Sequence, residues 1–174
     1  ISFFSLFLAT IFFFLAFAQE PADVIAKAKK LIAADKCSEA LPILQPIAKK
    51  KFRQTSGEQA TTMLAECALR AGDKKTAESL SSRFLEFHSQ SPYLERVQTI
   101  AAILQIESGA VYEGVENLLR ILSYTKNPAA KIRAREIAIQ TLAASLLPAE
   151  KLQALLDKYS VDKELFELLE SQYP

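Results

Sequence analysis

The sequence predicts an all-α fold of stacked antiparallel helix pairs. Three observations carry this expectation. The 174-residue chain holds only four glycines and seven prolines, while Ala, Leu, Ile, Lys and Glu abound, which favours helices and leaves few residues for hairpin turns. Segments starting at Pro21, Glu58 and Glu95 agree at a spacing of 37 residues. Signals for helix starts and stops fall at the joints of that period.

The period is read in columns. Ala28, Ala65 and Ala102 share one, and Ala40, Ala77 and Gly114 share another. Large apolar residues fall between them, at Ile32, Leu69 and Ile106, then at Ile47, Phe84 and Ile121. Asp35, Gly72 and Gly109 mark a further column. There a residue that tolerates a left-handed backbone would close the first helix of each pair. The stretch LRAGDKKTAESL at 69–80 shows the whole device. Gly72-Asp73 turns one helix into the next, and Ala77 is small so that the second helix can pack closely on the first.

Each element follows in order. Residues 1–18, ISFFSLFLATIFFFLAFA, carry no charge and seven of the eleven phenylalanines. They read as the apolar core of a secretory signal, cut between Ala18 and Gln19; an uncleaved anchor is the rival, although the stretch is short of the roughly 20 residues needed to span a bilayer. Residues 19–131 would form three helical hairpins. Ser56-Gly57-Glu58-Gln59 has capping-box form with Ser56 at the N-cap. Ser91-Pro92 and Asn127-Pro128 each set a capping side chain before a proline at the first helical position. Pro42 and Pro46 fall inside the second helix of the first pair, where Pro46 should kink it. Residues 132–174 would hold a divergent fourth unit and capping helices. Ile132, Ile137, Ile139 and Leu142 mark a helix, Pro148 opens a short one, and Asp162 caps a last one through Leu165, Phe166, Leu168 and Leu169. The apolar residues near the end suggest a chain that continues, or a further domain over this end.

The small–small spacing of Ala65 and Ala77, the LRAGDKKTAESL turn and the FHSQSPY exit at 87–93 resemble tetratricopeptide (TPR) repeats over about residues 21–131. Two departures stand out. Aliphatic residues mostly replace the large aromatics of that consensus, and the period of 37 exceeds the usual 34 by a longer link. The layout of signal, TPR-like units and NPAAKIRAREIAIQTLAASLLPAEKLQALLDKY at 127–159 is similar to the N-terminal helical region of penicillin-binding-protein activators and related solute-binding-like envelope proteins. Exported TPR adaptors of the Tol-Pal and outer-membrane-assembly type are the rival resemblance, and the lipoproteins among them would need a lipobox cysteine that this signal lacks.

The resemblance implies a right-handed superhelix of stacked antiparallel helix pairs, a TPR-like solenoid, serving as a non-enzymatic protein–protein interaction scaffold in the periplasm, with another envelope protein or peptide segment as partner. The alternatives are the spacer of a periplasmic solute-binding protein or a stand-alone adaptor. It also implies that first helices line a concave face, which places Lys29, Gln59, Thr62, Glu66, Arg70, Arg96, Thr99 and Glu107 toward a partner. Arg70 and Arg96 could grip a carboxylate with paired donors.

Chemistry points away from catalysis and cofactors. His88, the one histidine, sits where a helix ends and a cation suits the dipole, so it reads as a satisfied helix-end residue. Cys37, Cys67 and His88 have no metal-ligand spacing. No phosphate-binding glycine loop or serine elbow occurs. The pair Glu164 and Glu167 reads as a solvated face. A formal charge of +1 without a basic stripe argues against nucleic acid, and membrane contact is expected only through an uncleaved signal. In an exported chain, Cys37 and Cys67 can form a disulfide; two buried thiols are the other reading.

Overall fold

The computed structural model describes residues 21–144, 147–160 and 162–171. The signal segment, the Ala18–Gln19 junction and the last three residues lie outside them. Among the described residues there are nine helices and no strand. They are α1 (Pro21–Ala33), α2 (Cys37–Lys50), α3 (Thr55–Arg70), α4 (Lys74–Phe87), α5 (Leu94–Glu107), α6 (Val111–Tyr124), α7 (Pro128–Ala144), α8 (Ala149–Tyr159) and α9 (Lys163–Glu170). From α1 to α7 each helix packs on the next, and each odd-numbered helix also touches the following odd-numbered one. The first helices of successive pairs therefore share one layer.

The turn column repeats atom for atom. Asp35, Gly72 and Gly109 all have positive φ, at 59°, 75° and 93°. At each, two backbone N–H groups turn back into the preceding helix. Asp35 donates to Ile32 O and Lys36 to Leu31 O, at 3.0 and 2.8 Å. Gly72 and Asp73 do the same to Leu69 and Ala68, and Gly109 and Ala110 to Ile106 and Gln105. This is the Schellman closure, which satisfies carbonyls that a helix end leaves unpaired. The second helix then starts at once; Asp73 accepts from Thr76 N–H at 3.1 Å.

The small columns are the places of closest approach. Ala28, Ala65, Ala102, Ala40 and Ala77 are buried, as is Gly114. A Cβ on Gly114 would lie 2.8 Å from Ala102 O, so the sixth helix can sit this close to the fifth only without a side chain there. Phe84 and Ile121 fill the large column from the second helices. One apolar cluster joins α1, α2 and α3, a second joins α3, α4 and α5, and a third runs from α5 to α9.

Several start signals need correction. The third helix begins at Thr55, and its N-cap position is Gln54, without a side-chain bond. Ser56 lies inside the helix because Gly57 is pressed under the chain at Lys51, whose carbonyl a Cβ on Gly57 would overlap. The fifth helix begins at Leu94 rather than Pro92. Ser91 makes a turn instead, its Oγ accepting from Tyr93 N–H at 3.1 Å. Asn127 does cap the seventh helix, accepting from Ala129 N–H at 3.0 Å, and Asp162 caps the ninth through Leu165 N–H at 3.1 Å. The boundary drawn at Lys131 falls inside α7. The second helix runs through both Pro42 and Pro46.

Charged and polar side chains stitch the units together. Cys37, in the first turn of α2, and Cys67, buried on α3, form a disulfide with Cα atoms 5.3 Å apart. Glu164 is not simply a solvated residue. It pairs with Lys131 at 2.7 Å and with Arg135, tying α9 to α7. The Lys131 ammonium, with help from Arg135, holds its carboxyl below the usual carboxylate range. Lys158 pairs with Glu116, and the buried Tyr159 donates from its hydroxyl to Glu116 O at 3.3 Å, so α8 is fastened to α6.

Candidate functional site

The first-helix layer presents a cleft where the start of α5 faces the start of α7. Both helix starts are set by local chemistry. Before α5, Ser91 accepts from Tyr93 N–H and donates to Glu58 Oε2 at 2.8 Å, which anchors the link to α3. Before α7, the Asn127 cap fixes where Ala129 and Ala130 begin. Between them lies a cavity of about 650 Å³, lined by Tyr93, Glu95, Arg96 and Thr99 on one side and by Ile132, Arg133 and Glu136 on the other. Ile132 is 58% exposed, more than any other large apolar residue among the described ones. Burial raises the Tyr93 phenol above its usual range, with Glu58 adding to the effect. The cleft thus offers one apolar side chain, an aromatic wall, and charges of both signs.

The eight residues placed on the concave face meet different fates. Arg96 and Thr99 line the cleft. Thr99 is buried and its hydroxyl donates to Glu95 O at 2.8 Å, inside its own helix. Thr62 is likewise buried, donating to Glu58 O at 2.9 Å. Glu66 is buried and takes two bonds from Arg96 Nε and Nη2, so this arginine already holds a carboxylate with paired donors, one from its own chain. Arg70 donates to Ile32 O at 3.3 Å and lies 3.9 Å from Asp35. Glu107 pairs with Lys74 at 3.0 Å. Lys29 is exposed on α1, and Gln59 is half-buried on α3. Four of the eight, Glu66, Arg70, Arg96 and Glu107, therefore join elements of the stack to one another. The sequence reading missed Tyr93, Ile132, Arg133 and Glu136 as wall residues. Ile132 and Ile139, seven residues apart and so on one face of the helix, were the signal available for Ile132.

A second cluster surrounds His88. The imidazole is buried at the C-cap of α4, against Phe52 and Phe84 with ring centroids 4.5 and 4.8 Å away. Its Nδ1 lies 3.3 Å from Glu58 Oε1, while its buried Nε2 has no hydrogen-bond partner among the described residues. The expectation of a satisfied helix-end histidine is thus half right, because the link residue Phe52 covers one side of the ring. Glu58 stands between Ser91, whose hydroxyl donates to it, and the His88 imidazole. Activating a serine needs the base on the hydroxyl itself, and here the hydroxyl is turned to the carboxylate. The arrangement braces two inter-unit links against α3.

Among the described residues, no three His, Cys, Asp or Glu side chains are grouped to hold a metal ion. No described helix is long and apolar enough to cross a membrane. Comparison with protein-family models, curated proteins and solved structures gives no match.

Proposed function

We propose that this chain is a non-enzymatic interaction scaffold of the bacterial cell envelope. Its helix pairs wind into a right-handed, TPR-like superhelix, and the cleft between α5 and α7 holds a segment of another envelope protein. One observation carries the proposal. A cavity of about 650 Å³ lies on the first-helix layer beneath Ile132, which is 58% exposed and faces Tyr93 and Arg96. A concave surface built from stacked helix pairs suits an extended or helical peptide, whose apolar side chain would cover Ile132. The charges of both signs around it would set direction and register rather than affinity.

The test is site-specific photo-crosslinking in cells that make the full chain. A photoreactive residue in place of Ile132 should give one discrete adduct, which Arg133→Glu weakens. The same residue in place of Glu86, exposed on α4, should give none. Equal adducts at both positions, or none at Ile132, would remove the cleft as the binding site.

A further inference from the structure

Charge is spread unevenly along this chain. Residues 21–54 carry eight Lys and Arg against three Asp and Glu, whereas residues 55–174 carry thirteen against sixteen. Part of the surplus is concentrated in KKKFR at 49–53. Lys49, Lys50 and Arg53 are exposed, and among the described residues none of them has an ion-pair partner. Lys51 donates to Gln54 at 3.2 Å. Within the run, Phe52 packs edge-on to Phe87 with centroids 6.1 Å apart, and Arg83 lies 4.2 Å over the Phe52 ring. Phe87 is 55% exposed. An open phenyl ring therefore stands inside a basic cluster.

Topology sets where this cluster lies. The turn at residues 34–36 sends α2 back along α1, so Lys49–Arg53 finish at the end of the hairpin where α1 starts. The uncharged sequence Ile1–Ala18 joins the chain just before that point. We propose that this end of the first hairpin docks on an anionic lipid surface. Lys49, Lys50 and Arg53 meet the headgroups, and Phe87 enters the interface. Basic side chains and a shallow apolar group are the two components that such binding uses. In the sequence, Glu20 stands just before α1, Asp23 lies in its first turn and Glu86 sits beside Phe87, while Glu58 is held by Ser91 and His88. Single-stranded nucleic acid suits the surface less well. Binding of that kind stacks successive bases on several rings, and here Arg83 covers one face of Phe52 and His88 packs against it, so Phe87 alone stands open.

The test uses the full chain with vesicles of phosphatidylcholine, alone or mixed with phosphatidylglycerol. Any contribution of residues 1–18 falls on both kinds of vesicle, so the ratio of the two partition constants isolates the charge effect. Each basic residue near an anionic surface is worth about fivefold. The triple variant Lys49→Gln, Lys50→Gln, Arg53→Gln should lower the ratio about a hundredfold. Lys75→Gln, Lys126→Gln, Lys151→Gln, a triple change at exposed sites elsewhere, should leave it unchanged. Salt near 1 M, where the screening length is roughly 3 Å, should bring the wild-type ratio toward one. A wild-type ratio near one in low salt would overturn the proposal, as would an equal fall in both variants. Displacement from anionic vesicles by single-stranded RNA at lower concentration than by the lipid itself would assign the patch to nucleic acid instead.

Discussion

Removing the Arg96 side chain should harm this protein more than removing the charge it holds. Glu66 has 4% side-chain exposure and Arg96 has 47%. Among the described residues, no other group bonds the Glu66 carboxylate. Arg96→Ala leaves a buried anion without a partner, and breaking a buried pair in this way costs about 3–5 kcal/mol. Because Arg96 is half open to water, the lower end, about 3 kcal/mol, is expected. Glu66→Gln instead frees an arginine that water can reach, and it keeps a group able to accept one bond, so about 1 kcal/mol is expected. The double variant should then cost far less than the sum, with a coupling of at least about 1.5 kcal/mol. Urea unfolding of the four proteins, compared by midpoint and slope, measures this. Single-variant costs both below about 1 kcal/mol, with no coupling, would show that the pair is a solvated surface contact and that it does not help hold α5 on α3.

Four further predictions rest on particular atoms. Reducing the Cys37–Cys67 bond, or changing both residues to Ala, releases a loop of sequence separation 30. Chain entropy puts that at about 3–4 kcal/mol, and hydrogen exchange should show the loss first in α1 and α2. At the turn column, Gly72→Ala has free space but must hold a φ of +75°, so it should cost about 1–2 kcal/mol, while Asp35→Gly should be neutral or stabilising in thermal melts. Gly57→Ala should destabilise in the same assay although alanine favours helices, because the added methyl overlaps Lys51. Glu164 has a carboxyl held below its ordinary range, so its contribution is present above the unfolded value of about 4.3 and is lost as the pH falls through the folded one. Melting temperatures of wild type and Glu164→Gln should therefore differ at neutral pH and converge in acid.

The parts of the fold legible in the sequence are those that local backbone chemistry dictates. A left-handed turn needs Gly or Asx, so Asp35, Gly72 and Gly109 could be aligned by eye, and the hairpins follow from them. The Asn127 and Asp162 caps are equally local. Ser56 and Ser91 misled because a cap depends on where the preceding link runs, and here the link at Lys51 crosses above Gly57. Site residues were harder to read. Register places Arg70, Arg96 and Glu107 on first helices, yet only the packing of successive units reveals that Asp35, Glu66 and Lys74 take up their charges. His88 was hidden for a similar reason: Phe52 lies in a link outside the periodic pattern, and nothing in the spacing says it will fold over the imidazole.

The most direct test of the scaffold reading is hydrogen exchange of the full chain, with and without the protein captured at position 132. Protection confined to residues 92–99 and 127–136 is the predicted result, since these segments form the two walls of the cleft. Protection that falls instead on the exposed faces of α2 and α4, with the cleft walls unchanged, would contradict it.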